Sequence, residues 1–223
     1  GKVDAEDGEP RVTAIRELFE EGGVLLARGA LPADLDDWRR RIADRKATFQ
    51  DLLRARALAP DVEALRLWGR WVTPSDQKSR FDAWFYVGVL PAGQGYSHDR
   101  RETTAETWLT AAQALRRQDA GSLALPPPQL HTLDRIAAAG HRDTAAFMAA
   151  LATGAHRDAR LLPRRARDVT PRLLLFPWDP EYDALGEGDA IPMPAGAALA
   201  EGPSRVQADG ALWRFVAAPA RGV

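Results

Sequence analysis

Apolar residues recur at helical spacing over residues 10–21, with Ile15, Leu18 and Phe19 on one side, and Gly22 and Gly23 close the stretch where a left-handed cap costs little. Residues 24–27 then read as a strand. Pro32 opens a second helical region with Leu35, Trp38 and Ile42 on one face and, further on, Phe49, Leu52 and Leu53, which predicts two helices ending before Pro60. Two β-rich runs follow, residues 65–72 and 81–90. The turn signal Thr73-Pro74-Ser75-Asp76 joins them, so paired central strands are expected. A short strand at 106–109 should lead into a helix at 111–118. Pro126 to Pro128 introduce another helix up to Ala139, and residues 142–153 read as a last one. Residues 154–223 are rich in Pro, Gly and Arg, with strands expected only at 173–176 and 212–216.

Composition narrows the class. The 223 residues are 45% hydrophobic and 27% charged, which suits one elaborated globular domain or two small ones. The longest charge-free stretches, such as residues 83–98, are broken by Gly and Pro, so no membrane partner is expected. With 30 basic and 31 acidic side chains there is no global positive field, and no nucleic-acid partner is expected either. The absence of cysteine excludes disulfides, thiolate zinc sites and a cysteine nucleophile. No secretory signal is read from Gly1 onward and the last residues, Arg221-Gly222-Val223, are no peroxisomal tripeptide, so a cytoplasmic setting is expected. The four histidines have no Glu three residues before them, which argues against a di-iron carboxylate bundle.

The chemistry concentrates in Arg16-Glu17-Leu18-Phe19-Glu20-Glu21-Gly22-Gly23-Val24. At helical rotation Glu17, Glu20 and Glu21 share an arc of about 100°, opposite Ile15, Leu18 and Phe19. Like charges within one turn repel by a few tenths of a kcal/mol per pair, roughly, unless something offsets them. A hard divalent cation would do so, because Mg²⁺ and Mn²⁺ favour carboxylate oxygens and keep water in their other positions. Arg16, i to i+4 from Glu20, can orient that carboxylate without filling a metal position. The bland alternative is a solvated acidic face, the usual fate of a charge run on a helix.

The surrounding residues change that balance. The segment fits R-E-apolar-x-E-E-x-G-apolar at every fixed position and resembles the second half of the box that marks the nudix hydrolases, enzymes that cleave diphosphates linked to other groups. The start of that box resembles Gly1-Lys2-Val3-Asp4-Ala5-Glu6-Asp7, with Asp7 where the family has Glu. The spacing does not close: Asp7 to Arg16 is one residue too long and Glu9 to Arg16 one too short. Either the loop carries an insertion or residues are missing between Gly8 and Thr13. Downstream, Trp71-Val72-Thr73-Pro74, Arg80-Phe81-Asp82, Leu90-Pro91, Glu102-Thr103 through Trp108-Leu109 and Leu125-Pro126-Pro127-Pro128 follow in an order similar to the nudix branch that includes the peroxisomal coenzyme A diphosphatase of mammals. The branch also resembles this chain in placing a helical insertion after the box, here residues 32–58.

The resemblance implies an α/β/α nudix sandwich with a mixed sheet over residues 1–153, the helical insertion, and an irregular C-terminal extension, residues 154–223, packing on it. It implies hydrolysis of a phosphoanhydride bond in a nucleoside diphosphate linked to another group, with a coenzyme A type substrate leading. Glu17, Glu20 and Glu21 would hold Mg²⁺ or Mn²⁺, Glu20, Glu21 and Arg16 would act in catalysis, and Glu102, six residues before Trp108, would be a further metal ligand or general base. Otherwise Glu102 is an ordinary loop carboxylate. Arg80 and Asp82, flanking Phe81, either face the substrate or serve an ion pair or turn. Arg157, Arg160, Arg164, Arg165 and Arg167 either neutralise phosphates or form a solvated loop. The alternative function is a catalytically silent nudix-fold module that binds nucleotides, which the intact glutamate triad disfavours. Because a nudix sheet begins before the box, strands preceding Gly1 or supplied by a swapped homodimer are expected.

Overall fold

Helix α1 (Pro10–Gly22) forms over the predicted stretch and buries Ile15 and Phe19 completely or nearly so. The computed structural model describes residues 10–97, 107–153, 160–191 and 202–218. Two units divide the chain, residues 1–66 with 86–108, and residues 67–85 with 109–223.

In the first unit α1 ends at Gly23, whose φ of +72° is readily adopted by glycine and whose amide bonds Phe19 O at 2.9 Å. Val24, Leu25 and Leu26 are all buried, as a strand there would require. The paired ladder is shorter than expected, however, because among the described residues only β1 (Ala27–Arg28) of this run is in register with a neighbour. At Leu25 a side chain replaces the partner strand: the Gln94 amide accepts from Leu25 N at 2.8 Å and donates to Leu25 O at 2.9 Å. The insertion contributes α2 (Leu35–Ala43) and α3 (Phe49–Ala55), then β2 (Ala59–Pro60), antiparallel to β1. Thr48 and Asp51 start α3 with a reciprocal capping box. Trp38, Phe49, Leu52, Leu53 and Leu58 join Ile15, Phe19 and residues 24–26 in one apolar core, where burial stabilises by about 1.5–3 kcal/mol per large side chain. The Phe19 and Phe49 rings lie 6.2 Å apart, so the insertion is packed against the glutamate helix.

Strand β3 (Leu65–Val72) begins in the first unit and ends in the second, and β4 (Asp82–Gly88) begins in the second and ends in the first. They are hydrogen-bonded neighbours, as their alternation and intervening turn predict, with β3 central in the order β4-β3-β5. Helices α4 (Ala111–Asp119), α5 (Pro127–Ala139) and α6 (Thr144–Ala152) follow, then β5 (Arg160–Leu161), parallel to β3. The strand expected at 106–109 is a correction. Residues 107–110 form no strand and Trp108 is 71% exposed. Thr110 and Gln113 instead form the capping box of α4, which claims this stretch as a helix lead-in.

The last stretch holds more order than its composition indicates. Strands β6 (Arg164–Arg165) and β7 (Leu173–Leu175), helix α7 (Tyr182–Leu185), and strands β8 (Arg205–Asp209) and β9 (Leu212–Phe215) include an antiparallel sheet in the order β6-β7-β8-β9. β8 lacks an apolar alternation because its buried Arg205 is a charged residue, paired with Asp179 at 2.6 Å and with Glu181 at 3.0 Å.

Candidate active site

Glu17, Glu20 and Glu21 are all half-buried on α1, on the side away from Ile15 and Phe19. Arg16 lies between two of them, 3.1 Å from a Glu17 oxygen and 3.5 Å from a Glu20 oxygen. This one guanidinium offsets part of the repulsion that the spacing of the carboxylates creates.

The C-terminal end of the helix is held from outside. Arg39 of α2 donates to Glu20 O at 2.8 Å through Nε, to Glu21 O through Nη2, and to Ser97 Oγ at 2.9 Å through Nη1. Ser97 N bonds Gly22 O at 2.9 Å, and Tyr96 covers Gly22 so closely that a Cβ there would stand 2.5 Å from the ring. Residues 91–97 are thereby fastened to the end of the glutamate helix, with Gln94 securing them to Leu25 as well. Sequence reasoning missed Arg39, Gln94, Tyr96 and Ser97. Arg39 stands in the run Arg39-Arg40-Arg41, and nothing in the pattern tells which of the three reaches a helix end.

Arg80 and Asp82 lie in the second unit, where both are engaged. Asp82 accepts from Arg70 at 2.5 and 2.6 Å in a bidentate pair and from Arg160 at 3.4 Å. Arg80 donates to Thr73 O at 3.2 Å and stands 3.7 Å from Asp189. From the basic run, Arg164 meets Asp183 at 3.5 Å and Arg165 meets Glu187 at 3.1 Å and Asp76 at 3.6 Å. Arg157 and Glu102 lie outside the described residues.

Comparison with known proteins completes the picture. The sequence profile of the NUDT19 nudix domain matches residues 4–136, more than half of the chain. The chain belongs to the nudix hydrolase family. The proteins named acyl-coenzyme A diphosphatase NUDT19 from Gallus gallus and Homo sapiens are 33% and 30% identical to it, over 56% and 59% of this chain and 40% of each relative. A putative nudix hydrolase 7 of Caenorhabditis elegans is 28% identical over 60% of this chain and 46% of its own length. The chain thus spans about two-fifths of the length of these relatives. The crystal structure of a nudix hydrolase from Alicyclobacillus acidocaldarius superimposes with a TM-score of 0.53 at 30% identity, covering 66% of this chain and 68% of that one. The fold is accordingly the α/β fold of nudix hydrolases. Among the described residues no helix is long and apolar enough to cross a membrane.

Nudix hydrolases generally use divalent metal, and the donor set here can be tested against one. Three carboxylates on one helical turn supply the hard oxygens that such ions prefer. Among the described residues, no three His, Cys, Asp or Glu side chains are gathered into a ready-made cage. Arg16 instead draws Glu17 and Glu20 towards itself. So open a donor set can still serve a divalent cation, because one or two carboxylates together with water and substrate phosphates are enough to hold such an ion.

Proposed function

We propose that this protein hydrolyses a phosphoanhydride bond in a nucleoside diphosphate linked to another group, with coenzyme A or an acyl derivative as its substrate. The observation that carries this reading is the nudix helix, whose Glu17, Glu20 and Glu21 are half-buried together with Arg16 between the first two. The names of the relatives, acyl-coenzyme A diphosphatases, support the substrate class.

In the reaction, water adds to one phosphorus, the bridging P–O bond breaks, and two phosphomonoesters leave with the water's protons distributed between product and solvent. Glu17, Glu20 and Glu21 would hold Mg²⁺ or Mn²⁺. Such an ion, when bound, supplies charge neutralisation for the diphosphate and lowers the pKa of a coordinated water. Arg16 orients the Glu17 and Glu20 carboxylates through its ion pairs with both. Glu102 takes the proton of the attacking water or binds a further ion. Arg80 and Asp82 stand as substrate-binding residues in this reading, and their ion pairs would then exchange for substrate contacts.

The test is a panel of coenzyme A derivatives, ADP-ribose, NADH, capped dinucleotides and diadenosine polyphosphates, assayed for phosphomonoester release with Mg²⁺ and with Mn²⁺. Turnover of the coenzyme A compounds above the others is the expected result. Binding without turnover for every compound would mark a silent module instead.

A further inference from the structure

The helical insertion reaches the site, and the way it does so gives it a role. Trp38, 6% exposed in the core of the first unit, fixes the register of α2, and the next residue is Arg39. All three guanidinium nitrogens of Arg39 are used. Nε bonds Glu20 O at 2.8 Å, Nη2 bonds Glu21 O, and Nη1 bonds Ser97 Oγ at 2.9 Å. The last carbonyls of a helix have no partner within it, and a cation there also meets the negative end of the helix dipole. Here the two carbonyls so capped belong to Glu20 and Glu21. Gly23 makes room, since a Cβ at that position would come within 3.0 Å of Arg39 Nη1 and 3.2 Å of Ser97 Oγ.

We propose that Arg39 is a positioning residue of the metal site: it fixes the backbone that carries Glu20 and Glu21, and ties residues 91–97 to the same point. The inference rests on the reading of Glu17, Glu20 and Glu21 as metal ligands. It explains what the insertion contributes to the chemistry: a helix end that would otherwise fray is held where the second and third carboxylates start. The planar fork of arginine matches three acceptors at once, whereas lysine presents one nitrogen. Arg40, one residue on, is exposed and pairs with Asp37 at 3.1 Å, so it serves as the control.

The experiment titrates Mn²⁺ alone into the full chain and follows free ion by electron paramagnetic resonance, well below the melting temperature of each variant. Wild type, Arg39→Ala, Arg39→Lys, Arg40→Ala and Glu21→Gln are compared, with circular dichroism establishing that each is folded. Arg39→Ala should weaken Mn²⁺ binding roughly tenfold or more, in the range typical for groups that orient metal ligands. Arg39→Lys should fall between it and wild type, and Arg40→Ala should match wild type. Should Arg39→Ala not fold, Arg39→Lys carries the comparison. Wild-type Mn²⁺ affinity in folded Arg39 variants, with binding lost in Glu21→Gln, overturns the role of Arg39 and leaves the glutamate site standing. Undiminished binding in Glu21→Gln overturns both.

Discussion

Gly22 stands between the last nudix glutamate and the glycine that ends the helix, and Tyr96 lies over it. A Cβ at position 22 would stand 2.5 Å from Tyr96 Cε2, so Gly22→Ala must displace the ring and should cost about 1–3 kcal/mol in urea unfolding. A wild-type midpoint would show that Tyr96 does not pack there in solution. Arg205 presents the opposite case, a charge that needs its surroundings. Its side chain is 6% exposed and that of Asp179 fully buried, with Ser204 Oγ donating to the same carboxylate at 2.6 Å. Burial alone would lower the Arg205 pKa, but its bonds to Asp179 and Glu181 outweigh burial and raise it, so the Arg205 guanidinium stays charged at any ordinary pH. Arg205→Met leaves the Asp179 carboxylate uncompensated and should destabilise by about 3–5 kcal/mol, read from the denaturant midpoint.

At the scale of elements, α1 was legible because three signals coincide in it: helical apolar spacing, a terminal glycine pair and a fixed charge pattern. The strands β3 and β4 were legible through alternation and a turn. What escaped was whatever depends on a partner distant in sequence. Gln94 substitutes for a strand beside Leu25, 69 residues away, and no local pattern marks a side chain that will do so. β8 hides because Arg205 occupies a core position that would ordinarily be apolar, and Trp108 misled because Thr110 and Gln113 turn its segment into the approach to α4. The cap of α3 gives an element-scale prediction. Bonds from the Thr48 hydroxyl and then the Thr48 backbone amide lower the Asp51 pKa. A depressed carboxylate stabilises the fold above its unfolded pKa, and this is lost as pH falls through the lowered folded value. Thr48→Ala should cost about 1 kcal/mol at neutral pH. The gap to wild type should narrow in acid, below the ordinary carboxylate range. A gap that stays constant through that range and well below it would contradict the capping box.

For the molecule as a whole, fold and chemistry have separate supports. The first unit is held by an apolar core that includes Ile15, Phe19, Trp38 and Phe49, while turnover is assigned to carboxylates on the far side of α1. Chelation by EDTA should therefore abolish hydrolysis yet leave the thermal melt nearly unchanged. Added Mn²⁺ or Mg²⁺ should restore activity. A melt that collapses with chelation would make the metal structural and contradict this separation. The most direct test of the account is the rate of coenzyme A hydrolysis in saturating Mg²⁺ for wild type and for Glu21→Gln, which keeps volume and hydrogen bonding but removes the charge. The account predicts measurable wild-type turnover and a loss of roughly a hundredfold or more in the variant, with an unchanged melting temperature. Equal rates in the two folded proteins would show that the chemistry lies elsewhere than on α1.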